Sequence, residues 1–358
     1  MPANPGPAPG LQDGFFIQTA DGENRLAIGA IANIDGRFSL DDESPVTDTF
    51  TVRRLRPVFF GRVARYFEFK VMPDFGNGTA VIQDAFFDLR LSSRFRLRAG
   101  KDKTPIGYEM LVLAPRLIFP ERSLASSLVP NRDVGVQALG DIAGGRVSYA
   151  AGVFNGVPDG GTSTTDVDTN GGKDVAARIL VRPFQSQSAS SSSLQGLGFH
   201  IGGSTGRQSG ALPTWRTSVL RSYFSYVNGA TASGTRNRIT PAVFYYRRAF
   251  GAFAEYMRST QAVARNGVEI DVSNHAWDVT ASYLLTGETA TTGILRPEAN
   301  FDPPRGIGVR SRSPCATRPS RSIEPRSTPD WPPPAQAERR ERSGSRPIGT
   351  PTRTCDMR

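Results

Sequence analysis

The chain has 358 residues, 38% of them hydrophobic, with 37 Gly, 27 Pro and a formal net charge of +10. That length suits two ordinary domains or one large β-barrel. No run of eighteen apolar residues occurs, which excludes a transmembrane helix but not a barrel, whose strands alternate. From Pro303 onward there are 12 Arg against 5 acidic residues, so +7 of the charge lies in that last stretch. A nucleic-acid partner is therefore not expected for the remainder. Both cysteines, Cys315 and Cys355, also lie there, and residues 1–302 contain no thiol for a disulfide or a metal site.

In chain order, residues 1–13 are Pro-rich, read as disordered, and lack the basic start and apolar core of a signal peptide. Residues 14–22 predict a short strand and turn. Leu26, Ile28, Ala30, Ala32 and Ile34 then alternate with other residues, the period of a strand. In the next strand, Thr51 to Val63, Leu55 and Phe59 face one way and Arg54, Arg56 and Arg62 the other. Pro57 in its middle points to an edge or a bulge. Phe67, Phe69 and Val71 oppose Glu68 and Lys70; Phe87 and Leu89 alternate with Asp84, Asp88 and Arg90; Phe95, Leu97 and Ala99 oppose Arg96 and Arg98. One face repeatedly carries Phe and Leu and the other ionised side chains. That asymmetry is expected of an antiparallel transmembrane β-barrel, with lipid outside and water inside.

Residues 101–132 then run without a long periodic pattern and carry Lys101, Lys103, Arg116, Arg122 and Arg132. A loop of that length is usually functional, and it is predicted to fold inside the wall formed by the rest. A hairpin follows over residues 134–156, a mobile surface loop over 157–173, and strands over 174–184, 194–205, 218–227, 238–247, 251–259 and 276–286. From Leu26 the total is about thirteen strands. The 303–358 segment has 11 Pro, no Lys, no Phe and no Tyr, and is read as disordered. Its Arg/Pro/Ser bias without Lys is also that of a frameshifted GC-rich reading frame.

Several stretches together resemble the phosphate-selective porin family (porins O and P). They are Val52-Arg-Arg-Leu-Arg, Phe67-Glu-Phe-Lys, Asp84-Ala-Phe-Phe-Asp, Gly100-Lys-Asp-Lys-Thr-Pro-Ile-Gly-Tyr-Glu, Phe119-Pro-Glu-Arg-Ser and Asn131-Arg-Asp-Val-Gly. Further along come Phe154-Asn-Gly, Ala254-Glu-Tyr, Tyr283-Leu-Leu-Thr-Gly-Glu and Pro297-Glu-Ala-Asn-Phe-Asp-Pro. The resemblance implies an all-β, sixteen-stranded barrel over residues 14–302. It implies a homotrimer in the outer membrane of a Gram-negative bacterium that passes small anions, phosphate or polyphosphate, and uses no cofactor. Its third loop would narrow the pore, here residues 101–132. Arg53, Arg54 and Arg56 match its basic strand motif. With Lys70, Arg96, Arg98 and the loop cations named above they are the expected pore-lining, anion-guiding set.

The sequence departs from the pattern after residue 302, where three further strands and a final aromatic residue would follow. A barrel truncated to about thirteen strands, and poor assembly, are therefore expected. A soluble or surface β-sheet protein for acidic ligands and a non-functional truncated porin are the alternatives. No enzyme motif stands out: His200 and His275 are isolated, and no Gly-rich phosphate loop or nucleophile elbow is present. Asp84 and Asp88 share a face, but as rungs of an ionic ladder rather than a catalytic pair.

Overall fold

A computed structural model describes residues 15–38, 47–163, 168, 171–185, 192–217, 221–285 and 289–290. The expected disordered start and the 303–358 tail lie outside the described residues. Thirteen antiparallel strands form one sheet in which each neighbour in the sheet is the next wall strand along the chain. They are β1 (Phe15–Gln18), β2 (Arg25–Arg37), β3 (Thr49–Val63), β4 (Phe67–Asp74), β5 (Val81–Arg90), β6 (Arg96–Lys103), β7 (Arg132–Ile142), β8 (Val147–Phe154), β9 (Asp174–Val181), β10 (Leu197–Gly210), β13 (Thr231–Arg247), β14 (Phe250–Arg265) and β15 (Val268–Tyr283). A separate hairpin, β11 (Thr214–Arg216) and β12 (Ser222–Ser225), interrupts the meander between β10 and β13.

The count of thirteen agrees with the sequence reading through two offsetting differences. The strand expected over 218–227 is not part of the wall. Its described part lies in and after β12, where Phe224 stacks on Trp215 of β11 at 4.7 Å. In exchange, the short segment at Phe15 joins the sheet as β1 by pairing with β2. Pro57 lies within β3, opposite Ala30 of β2. The pairing of β3 with β4 stops at Phe59, so on that side there is no ladder for the missing N–H to interrupt.

Burial runs opposite to that of a water-soluble sheet. On β5, Asp84 and Asp88 are each 1% exposed while Phe87 between them is 65% exposed. Phe199 and Ile201 are likewise exposed on either side of the buried His200, and the β6 residue Leu97 lies outside while Arg98 lies inside. Exposed apolar rows around buried ionic ones fit a wall that meets lipid outside and charge inside. β13, β14 and β15 contain 17, 16 and 16 residues. That exceeds the ~9–11 a tilted strand needs to cross the hydrocarbon layer.

Residues 104–131, between β6 and β7, lie inside this curved sheet. Glu121 reaches β3, while Gly107 and Tyr108 reach β13 and β14. The sheet therefore wraps around the loop. Lys101 and Lys103, expected in the loop, belong to β6. Alternation places both on the side of Leu97, yet they are 4% and 7% exposed. Gly100 precedes them with a φ of +124°, and a Cβ there would lie 2.3 Å from the Ala85 carbonyl oxygen of β5. Among the described residues the edge strands β1 and β15 each have one neighbour. An edge without a partner in hydrocarbon costs several kcal/mol per unpaired backbone group.

Gly100→Val should be strongly disruptive, because a left-handed backbone costs about 1–3 kcal/mol for a side-chain-bearing residue even before the clash with β5. Thermal melting followed by circular dichroism in detergent should show a lower midpoint or no folded state. Ala99→Val, on the outward face, should melt close to the parent; equal melting of both variants would contradict this account of Gly100.

Candidate functional site: a cationic lumen beside an anchored loop

The loop is built on a short helix, α1 (Tyr108–Leu111), and a 3-10 turn over Leu124–Leu128. The first backbone N–H groups of a helix lack partners within it. Here Tyr108 N–H donates to Glu255 Oε1, and Glu109 N–H donates to Glu255 Oε2 at 2.9 Å. Glu255 stands on β14 and is 2% exposed. Gly107 N–H donates to Thr240 Oγ1 of β13 at 3.1 Å. The Tyr108 ring stacks on Phe244 with centroids 4.9 Å apart, and Phe253 packs at 5.5 Å. On the same side Ile106, Met110, Leu128 and Val129 form a core with Phe154, Trp215, Met257 and Ala276. One flank of the loop is thus fastened to the β8–β15 part of the wall.

Within the loop, Glu109 accepts hydrogen bonds from Ser123 N–H at 2.9 Å, from Ser123 Oγ and from Ser126 Oγ, closing the loop on itself. Lys103 Nζ donates to the carbonyls of Met110 and Val112 at 2.5 and 2.7 Å. Arg122 donates to Val112 O at 2.5 Å and more weakly to Glu109 O at 3.3 Å. Burial, aided by nearby Arg132 and Arg54 and opposed by Glu109, lowers the Arg122 guanidinium to about 10, so it remains cationic at neutral pH.

The segment 157–163, expected to be mobile and at the surface, is instead folded in against this loop. Asp159 pairs with Arg238 of β13 at 2.7 Å, and Arg238 also donates to Val157 O. Gly160 N–H donates to Val129 O at 2.9 Å. Asp174 of β9 takes Arg236 and Arg238 at 3.0 Å each. These bonds tie down the side of the lumen that the loop already covers.

The opposite wall remains open and is cationic. A cavity of about 760 Å³ lies between β2–β6 and the loop residues Leu113 and Ala114, lined by seven basic and two acidic side chains. A second, of about 220 Å³, is lined by Arg53, Arg54, Arg56, Arg122, Arg132 and Arg216 against the single acid Glu121. Arg56 and Arg132 line both, so they stand where the two spaces meet. A third cavity, of about 230 Å³, includes Lys70, Arg98, Lys103 and Arg178.

The carboxylates behind these cations are shared. Asp84 holds Lys70 at 2.5 Å and Arg132 at 2.6 Å. Glu121 holds Arg53 at 2.9 Å and Arg54 at 2.6 Å. Each such trio keeps one net positive charge while its guanidinium or ammonium groups are fixed in place. Arg56 pairs with Asp74 at 2.7 Å, and Arg98 with Asp88 at 2.6 Å and with Asp102. Arg98 also lies 3.8 Å over the Phe86 ring.

Of the sequence-predicted residues, Arg53, Arg54, Arg56, Lys70, Arg96, Arg98, Lys103, Arg122 and Arg132 line these cavities. Lys101 and Arg116 line none of the three. A β-bulge on β3 explains why Arg53 and Arg54 both face inward. Arg54 is paired with Asn33 and Val52 with Ile34, which leaves Arg53 as the extra residue. Arg25, Arg62, Arg178 and Arg216 are further lining cations that the sequence reading did not select. Arg25 and Arg62 were legible from strand parity; Arg216 was not, because its hairpin reaches the cavity only through the tertiary fold.

The profile of the family described as phosphate-selective porin O and P matches residues 28–292. The chain belongs to that family. It is accordingly an outer-membrane channel protein. Among curated proteins none matches its sequence. Among solved structures it is similar to OmpT (in-vitro folded), an outer membrane protein of Vibrio cholerae, at 11% identity and a TM-score of 0.46, covering 73% of this chain and 71% of that one. The trimer form of that protein gives 9% identity and a TM-score of 0.34, with 82% and 95% covered.

If Glu255 fastens the loop, Glu255→Ala should release it. Two buried N–H groups would be left without an acceptor, at a cost of about 1–3 kcal/mol each. Limited trypsinolysis of the detergent-folded protein should then cut at Arg116 or Arg122 much faster than in the parent. An unchanged cleavage rate at those sites would contradict the anchoring role.

Proposed function

We propose that this protein is a passive channel for small anions, phosphate among them, in the outer membrane of a Gram-negative bacterium. The observation that carries the reading is the shared carboxylate: Asp84 and Glu121 each serve two cations, leaving positive charge on the open side of the loop. Guanidinium groups stay charged and offer planar forks to oxyanions. Several in succession let an anion pass from one partner to the next instead of remaining bound, as conduction requires. Arg56 and Arg132, at the junction of the 760 and 220 Å³ cavities, act as the narrowest anion contact in this reading, with Arg54, Arg122, Lys70, Arg96 and Arg98 on either side. The homotrimer implied by the family resemblance is part of the proposal, and chemical cross-linking in membranes tests it.

A second reading, a sheet that does not close and conducts nothing, is favoured by the single neighbour of β1 and of β15 among the described residues. Planar-bilayer recording with the full chain decides between the two. The channel reading expects discrete conductance steps and a reversal potential of anionic sign under a salt gradient. A cationic sign overturns the anion claim, and the absence of steps supports the second reading. In a conducting protein, Arg132→Ala removes the net charge of the Lys70–Asp84–Arg132 trio, so the chloride-to-potassium permeability ratio should fall severalfold. The outward-facing Leu97→Ala should leave that ratio unchanged.

A further inference from the structure

The lumen face of the β2–β3 pair is not uniformly ionic. Read along the register, its inward rungs are Arg25 opposite Arg62, Ala27 opposite Phe60, Gly29 opposite Val58, and Ile31 opposite Arg56. All eight line the 760 Å³ cavity. Two apolar rungs therefore separate the cations of β3, and at ~3.4 Å per residue Arg56 and Arg62 are roughly 20 Å apart along the strand. Across the cavity the loop presents Leu113, an apolar side chain left 36% exposed. Its neighbours in the loop core are buried; Leu113 is not.

The lower end of the strip holds the second observation. Like charges directly opposite on neighbouring strands are destabilising, yet Arg25 and Arg62 face each other. Neither makes an ion pair with a carboxylate among the described residues. Arg62 donates to the Gly22 carbonyl at 2.7 Å, and Arg25 lies 4.3 Å over the Phe16 ring with its Nε and Nη2 lacking hydrogen-bond partners. Glu68, opposite Arg62 on β4, makes its ion pair with Arg90. The two guanidinium groups thus form a cationic end with unused donors, and a slot walled by Val58, Phe60 and Leu113 leads away from it.

We infer that this cavity binds an organic anion with one oxyanionic head and an apolar body, of the aryl or alkyl phosphate or carboxylate class. The inference rests on the anion reading above and deepens it. The head sits between Arg25 and Arg62, relieving their repulsion, and the body lies along Phe60 and Val58 under Leu113. A bare inorganic ion satisfies the guanidinium groups but leaves the apolar rungs facing water.

Isothermal titration calorimetry on the full chain in lipid nanodiscs tests this with three probes: phenyl phosphate, inorganic phosphate and benzyl alcohol. Phenyl phosphate should bind at least tenfold more tightly than inorganic phosphate, and benzyl alcohol should show no measurable binding. In Phe60→Ser the ratio between the two phosphates should fall toward one. Val58→Ser serves the same purpose if the first variant does not fold, as judged by circular dichroism. Arg62→Gln should weaken both anions. Equal affinity of the two phosphates in the parent overturns the organic-anion inference and leaves the anion reading standing. Binding of neither overturns both. Tight binding of benzyl alcohol alone also overturns the inference, since the charge would then have no part in recognition.

Discussion

The buried carboxylate of Glu255 is the contact on which the lumen depends. It takes the first two N–H groups of α1 and so fixes one end of a loop whose remaining surface is either apolar and packed or charged and exposed. A buried polar group without partners costs about 1–3 kcal/mol. A loop without this contact would leave both the carboxylate and its own amides unsatisfied. The bond therefore decides which side of the lumen is filled. With α1 held against β13 and β14, the core of Ile106, Met110, Leu128 and Val129 closes on the β8–β15 wall, and the β2–β7 wall faces open space.

That division gives the charges their effect. On the filled side Asp174 and Asp159 pair with Arg236 and Arg238 out of contact with the open path, which is a structural use of ions. On the open side fewer carboxylates than cations are present at the junction, and the acids act as holders. A guanidinium fixed by Asp84 or Glu121 pays less entropy when an oxyanion arrives than a free side chain does. The bulge at Arg53 adds a second cation to one rung of β3 without moving the rest of the strand out of register.

Most of the wall was legible in the sequence because its physics is local. Period-two alternation placed Arg54, Arg56, Lys70, Asp84, Asp88, Arg96 and Arg98 on the ionic face. The same parity put Val58 and Phe60 on that face beside Arg56 and Arg62, a fact present in the sequence but masked by the stronger signal of the arginines. What could not be read was set by distant partners. Glu255 meets Tyr108 across 147 residues of chain. The stretch 157–163 looked mobile because its Gly, Asp and Pro content favours loops, yet Arg238 and Val129 supply the bonds that order part of it. Ser222–Ser225 lies in a stretch read as a wall strand, but its Phe224 stacks on Trp215 rather than facing lipid. Lys101 and Lys103 read as loop cations because a Gly at position 100 resembles a strand end, whereas its positive φ only bends β6.

The central claim is that the loop turns its α1 flank to the wall and its Leu113 flank to a positively charged path. Thiol labelling in reconstituted membranes tests both halves at once, in a background with Cys315 and Cys355 replaced by Ser. A cysteine at Leu113, now 36% exposed, should react faster with anionic sulfonatoethyl methanethiosulfonate than with its cationic trimethylammonium counterpart. A cysteine at Met110, 5% exposed, should react with neither at a comparable rate. Faster reaction of the cationic reagent at position 113, or ready labelling at position 110, would contradict the account.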